Sequence, residues 1–262
     1  MTPRFRAPVA VAAGLAVAFG PVAAIAAADP PATPAAVTDP ALHLQGVQNA
    51  RDIGGYRTTD GRIVRTGLVY RTGQLNHATA DDSAALTDRR VRSVHDLRTV
   101  YERVLGPDRI PAGATPHWAD VIGQAPPEVV ATALTGGEGL YRAFITAPGA
   151  NEAFASVLRD IIGSDGAVLF HCTAGKDRTG WMAAVLLTLL GVDRATVTED
   201  YLLSNRLRNA DRNDPLNGVQ RAWLDNAFDQ VNQTYGSFDA YVRDGLRLTD
   251  GDLSVLRARL LG

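Results

Sequence analysis

A single cysteine, Cys172, and a single lysine, Lys176, stand four positions apart in a chain of 262 residues. The run from His171 to Gly180 reads H-C-T-A-G-K-D-R-T-G and follows the short apolar stretch Ala167 to Phe170. That order predicts a buried strand, a tight loop and the first turn of a helix. Such a loop aims backbone N–H groups at one point, and the helix dipole adds partial positive charge there, so the point favours an anion. Ala174 and Gly175 are small enough for the backbone to close around a phosphate. A thiol at that point is expected to be acidified from ~8.5 by one to several units. Cys172 would then be a thiolate at neutral pH, ready to attack phosphorus.

The neighbouring residue types suit the same reaction. Arg178 follows Cys172 by six positions, which returns its planar fork to the same side of the loop, where it can hold two phosphate oxygens. Asp177 is placed to protonate a departing alcohol or phenol. The Thr179 hydroxyl can hydrogen-bond the sulfur and help it leave. Thr173, Ala174, Gly175 and Lys176 complete the expected substrate-binding loop with Thr179. His171 is read as a brace for the backbone beneath the sulfur rather than as a base. An inert buried cysteine ahead of an ordinary helix cap would not need Lys, Asp, Arg and Thr together in this run.

The elements that must position this loop can be read more coarsely. Arg62 to Arg71 and Val91 to Leu97 are rich in β-formers and predict strands. Thr79 to Arg90 predicts a helix capped by Thr79. The apolar spacing of Phe154, Val157, Leu158 and Ile161 predicts a helix over residues 150–162, and Trp181 to Leu190 a deeply packed one. Further helices are expected over 194–208, 218–231, 238–244 and 250–261, the last capped by Thr249. Early strands, a buried strand and then helices imply an α/β sheet with a helical C-terminal layer.

Hydrophobic residues make up 46% of the chain, ordinary for a protein with a sizeable core, and the formal net charge of −2 argues against general nucleic-acid binding. Arg4 and Arg6 precede an apolar, alanine-rich run from Ala7 to Ala27, with small residues before Asp29. Residues 1–28 therefore read as a signal peptide, with a retained anchor as the alternative. Residues 29–41 read as a flexible tether and 42–262 as the catalytic domain. A secreted, extracytoplasmic protein is expected, without stable membrane insertion once the leader is removed. Outside the cell a lone thiol is either buried and inert or functional.

The loop resembles that of the protein tyrosine phosphatase superfamily, and more narrowly the bacterial branch called tyrosine phosphatase family 3. The likeness extends to N-x-R-D-x-G-G at 49–55, to L-V-Y-R-T-G at 68–73, and to His95, Asp96, Leu97 and Arg98 with Glu102. It continues through 199–205 and 235–241 in the helical tail. It implies a cysteine phosphatase-like fold, a central, mostly parallel sheet flanked by helices. It also implies a phosphocysteine mechanism without metal or organic cofactor. Cys172 is then the nucleophile, Arg178 the phosphate clamp and Asp177 the general acid, with Asp96 and Asp120 in reserve. Lys176 resembles the lysine of phosphoinositide phosphatases, so phosphotyrosine proteins, phosphoserine or phosphothreonine proteins and phosphoinositides are all candidate substrates.

Arg51 and Asp52 are expected to pair with each other and brace the loop. Asp96, Arg98 and Glu102 are expected to form an ion-pair network at a strand end. Residues 205–235 are either a mobile helical lid or an ordinary helix pair. Two other readings stand beside the phosphatase. One is a rhodanese-like or arsenate-handling enzyme, and for an arsenate reductase a resolving thiol would be wanted. The other is a non-catalytic phosphate-binding module. A monomer is expected.

Overall fold

The computed structural model describes residues 39–262 except positions 134, 212, 213 and 215. The expected leader and most of the tether lie outside the described residues. The sheet is built from β1 (Arg51–Asp52), β2 (Val69–Thr72), β3 (Val91–Asp96), β4 (Thr115–Trp118) and β5 (Ala167–His171). Their order is β1-β2-β5-β3-β4. The last four run parallel, and only β1 is antiparallel to its neighbour. This is the mostly parallel sheet that the sequence led us to expect.

Strand β5 is buried along its whole length, as a central strand covered on both faces must be. Its residues alternate between two cores, as the pleat dictates. Val168 and Phe170 join the larger core with the C-terminal helices, whereas Ala167 and Leu169 pack with Val94, Leu86 and Tyr70. The register sets Thr72 of β2 and Asp96 of β3 on either side of His171. The carboxyl ends of three strands therefore finish together, which is where parallel sheets present their ligand sites.

Around the sheet lie α1 (Ala80–Asp88), α2 (Val100–Leu105), α3 (Pro127–Ala131), α4 (Glu138–Thr146), α5 (Ala150–Gly163) and α6 (Arg178–Leu189). The tail contributes α7 (Arg194–Leu207), α8 (Arg221–Tyr235), α9 (Phe238–Ala240) and α10 (Asp250–Leu260), with a π-helical turn at Tyr241–Gly245 after α9. Thr79 and Thr249 cap α1 and α10 in reciprocal capping boxes, as expected from sequence. A third box, Thr99 with Glu102, opens α2. Helix α6 is buried from Arg178 to Leu187, and Trp181 meets Phe228 edge-on at 4.9 Å. Truncating so large a buried ring costs about 3–5 kcal/mol, so the helix that presents the loop is fixed by packing rather than by its own propensity. Among the described residues no helix is long and apolar enough to cross a membrane.

One strand expectation needs correction, and one strand was not foreseen. Arg62 to Arg71 is not one strand, because Gly67 turns with φ +82° and its N–H is held by Asp52 Oδ2 at 2.7 Å. Residues 63 and 64 form only isolated bridges, to Arg57 and Leu261. Strand β4, with Pro116 inside it, was not anticipated. It is a largely exposed edge, a place where a sheet tolerates proline.

Candidate active site

The chain leaves β5 at His171, loops, and enters α6 at Arg178. Gly175 sits in this loop with φ +67°, and a Cβ there would lie 2.4 Å from the Thr72 carbonyl oxygen. Only glycine combines that backbone with so close an approach. The Gly175 carbonyl accepts from Asn49 Nδ2 at 2.8 Å and from Arg71 Nη2 at 3.0 Å. Arg51 Nε and Arg71 Nη1 in turn hold the two oxygens of Asp200 at 3.0 and 2.7 Å. The loop is thus strapped from behind to β1, β2 and α7.

Asp200 is the partner that Arg51 takes; Asp52 is not. Successive strand residues point to opposite faces, so Arg51 enters the core behind the loop. Asp52 instead accepts the Gly54 and Gly67 N–H groups, each at 2.7 Å. Arg51 does brace the loop, through Asp200 and through a hydrogen bond to Asn49 Oδ1.

Cys172 is almost completely buried, with 1% of its surface exposed. Burial pushes the thiol up. The charge of Arg178, together with the hydroxyl and backbone N–H of Thr179, outweighs it and holds the thiol below its ordinary value. A buried cysteine without such partners would shift the other way. Arg178 Nε and Thr179 Oγ1 are themselves buried and have no oxygen or nitrogen partner among the described residues. Arg71 Nε and Trp181 Nε1 are buried in the same condition elsewhere in the core, so what sets Thr179 Oγ1 apart is its contact with the sulfur.

The other end of Arg178 is fully engaged. Its Nη1 and Nη2 donate to Glu102 Oε2 and Oε1 at 2.8 and 2.7 Å, and Glu102 Oε1 also accepts the Thr173 hydroxyl at 2.5 Å. Burial raises the Glu102 carboxyl, but Arg178, Thr173 and the Thr99 N–H overcome it and leave the acid far below its usual range. Glu102 therefore does not belong to the Asp96–Arg98 network. The third member there is Asp108: Arg98 binds both oxygens of Asp96 at 2.9 and 2.8 Å and reaches Asp108 Oδ2 at 2.6 Å.

His171 lies beneath the sulfur. Its Nδ1 is 3.3 Å from the Cys172 carbonyl oxygen, and its Nε2 is 3.2 Å from Asp108 Oδ2, an ion-pair contact rather than a linear hydrogen bond. Burial lowers the imidazole, while Asp108 and Asp96 raise it and prevail. Asp108 is raised by burial but brought down to about 2 by His171 and Arg98.

Asp177 and Lys176 form a separate cluster at the head of α6. Lys176 Nζ lies 3.1 Å from Asp177 Oδ2, donates to the Gly218 carbonyl at 3.0 Å, and sits 5.5 Å from the Trp223 ring. The Tyr141 hydroxyl donates to Asp177 Oδ1 at 3.1 Å. Asp120, held in reserve as an acid, accepts the Ile122 and Gly123 N–H groups of its own turn, and Asp96 has both oxygens on Arg98. Helix α8 buries Trp223, Leu224, Ala227 and Val231, and Trp223 lies 6.0 Å from the Tyr141 ring. Within the span considered for a lid, α8 is thus an ordinary packed helix that also covers the lysine.

Sequence reading missed Asn49, Arg71, Asp108, Tyr141, Asp200 and Tyr201 as neighbours of the loop. For Glu102 a signal existed, since Thr99-x-x-Glu102 spells a capping box, but nothing in it pointed to Arg178.

A parallel sheet whose central strand runs into a thiol-bearing anion loop, closed by an arginine at a helix start, defines a cysteine-dependent phosphatase fold. The chain belongs to the tyrosine phosphatase family, whose sequence model matches residues 42–262. It is similar to a protein of Cupriavidus necator named as a tyrosine-protein phosphatase, 33% identical across 88% of this chain and 93% of that one. It is also similar to the triple specificity protein phosphatase PtpB of Mycobacterium tuberculosis, 29% identical across 84% of this chain and 98% of the relative. Among solved structures, TpbA of P. aeruginosa in complex with pTyr covers 75% of this chain and 88% of its own, at 18% identity and a TM-score of 0.36.

Proposed function

We propose that the protein hydrolyses phosphate monoesters, phosphotyrosine in proteins above all, through a phosphocysteine formed on Cys172. The observation that carries this reading is a buried thiol held below its ordinary value by the charge of Arg178 and by the hydroxyl and backbone N–H of Thr179. In the first step the sulfur forms a bond to phosphorus while the bond to the leaving oxygen breaks. The electron pair departs with that oxygen, and Asp177 supplies its proton. In the second step water attacks phosphorus, the Asp177 carboxylate takes the water's proton, and the sulfur leaves as thiolate, aided by Thr179. Arg178 binds the equatorial oxygens throughout, oriented by Glu102. All of these groups belong to the chain itself, and no step calls for a cofactor.

Phosphoserine or phosphothreonine proteins and phosphoinositides are secondary substrates in this reading, supported by the similarity to a mycobacterial phosphatase named for triple specificity. Lys176 is the cation suited to a second phosphate. The leader-like start supports export, which N-terminal sequencing of protein from the culture medium tests.

The direct experiment compares wild type with Cys172→Ser on a phosphotyrosine peptide, a phosphoserine peptide and phosphoinositides. Fastest turnover on phosphotyrosine, abolished by the substitution, is the expected result. Phosphate release that persists in Cys172→Ser contradicts the mechanism. Thiocyanate production from thiosulfate and cyanide, without phosphate release, would instead favour the rhodanese-like reading. Phosphopeptide binding without turnover in wild type would favour a binding module.

A further inference from the structure

Two tyrosines far from Asp177 in sequence end on its carboxylate. Tyr141, on α4, places its hydroxyl 3.1 Å from Asp177 Oδ1. Tyr201, on α7, places its own hydroxyl 2.6 Å from that of Tyr141. Both side chains are wholly buried, and their rings meet edge-on at 6.0 Å. Burial, then the Asp177 charge, keeps both phenols protonated at any working pH.

Each phenol has one hydrogen to give. Tyr141 donates to Asp177 Oδ1, so the short contact between the hydroxyls requires Tyr201 to donate to Tyr141. The competing acceptor for Tyr201, the Gln220 carbonyl, is farther away at 3.4 Å. The hydrogens therefore run in one direction, from Tyr201 to Tyr141 to Asp177. Lys176 Nζ reaches both carboxylate oxygens, Oδ2 at 3.1 Å and Oδ1 at 3.4 Å, so Oδ2 is the oxygen that carries no tyrosine hydroxyl. The backbone at Gly136 closes the other side: a Cβ there would come within 3.2 Å of Asp177 Oδ1 and 2.7 Å of the Trp223 ring.

We infer that Tyr141 and Tyr201 are positioning residues for the general acid: they keep Oδ1 occupied as an acceptor, so that Oδ2 alone carries and delivers the proton. This rests on the assignment of Asp177 as the acid. A carboxylate free to rotate would present the proton on either oxygen and in many directions, and proton transfer depends steeply on placement. Two buried hydroxyls in series give the buried Asp177 carboxylate a fixed orientation.

The test measures kcat/KM for aryl phosphates spanning good to poor leaving groups in wild type, Tyr141→Phe, Tyr201→Phe and Asp177→Asn. The rate and pH dependence of Cys172 alkylation by iodoacetamide are followed in each. Asp177→Asn should lose most on phenyl phosphate and least on p-nitrophenyl phosphate. Tyr141→Phe should show the same steepening at about ten- to a hundredfold on phenyl phosphate, with thiol titration unchanged. Tyr201→Phe leaves the hydrogen bond to Asp177 in place and should show the same trend more weakly. It also supplies the answer if Tyr141→Phe does not fold. An Asp177→Asn that is selective, beside tyrosine variants that lose equally on all leaving groups or not at all, overturns the positioning role alone. An Asp177→Asn without leaving-group selectivity overturns the acid assignment and this inference together.

Discussion

Glu102 grips Arg178 through both terminal guanidinium nitrogens, at 2.7 and 2.8 Å, and the same carboxylate ties down Thr173 on the other side of Cys172. One side chain thereby fixes the phosphate clamp and the start of the loop together. It leaves Arg178 Nε as the guanidinium nitrogen without a partner among the described residues.

Glu102→Gln keeps the shape of the side chain but removes the charge that anchors a buried guanidinium. Truncating one member of a buried ion pair costs about 3–5 kcal/mol because the other is left uncompensated. Part of that should appear in catalysis as a fall in kcat/KM of about a hundredfold, with weaker inhibition by inorganic phosphate. Inhibition and kcat/KM both equal to wild type would mean that Arg178 orients itself.

The Cys172 thiol is raised by burial and lowered by Arg178 and then Thr179. Its alkylation by iodoacetamide should therefore fall off, as the thiolate is protonated, at a lower pH than the ~8.5 of a free thiol. Thr179→Ala should move that midpoint up, and Arg178→Ala should move it further. Identical midpoints in all three proteins would remove the electrostatic basis proposed for the nucleophile.

Asp200 is raised by burial but brought below its ordinary value by Arg51 and Arg71. A carboxyl depressed in the folded state adds stability that is fully present above its unfolded value, about 3.9, and is lost as pH falls through the folded one. Asp200→Asn should therefore destabilise the protein by about 3–5 kcal/mol at neutral pH. Urea unfolding should show the gap from wild type narrowing below pH ~4. A gap of constant size across that range would assign the loss to packing alone.

What could be read from sequence was local. Cys172, Asp177, Arg178 and Thr179 lie in one turn of chain, and a strand–loop–helix geometry follows from that order. Thr79 and Thr249 were legible as caps because a cap is decided within four residues. The long-range partners were not legible. Arg51 lies beside Asp52 in sequence, and only the strand pleat sends it to Asp200, 149 positions away. Glu102 reads as one more acid near Asp96 until α2 turns it onto Arg178. Tyr141 carries no signal of its own in the sequence, and it is core in α4 except for a hydroxyl that meets Asp177. Strand β4 was hidden by its proline and its exposure, since an edge strand has no buried face to impose alternation.

The claim on which the rest depends is a covalent bond between Cys172 and phosphorus. Wild-type protein mixed with a phosphotyrosine peptide, quenched in acid within its first turnovers and digested should yield the peptide containing Cys172 heavier by one phosphoryl group. Cys172→Ser should yield none and release no phosphate. Steady phosphate release with the adduct absent from Cys172, or present on another residue, would contradict the account.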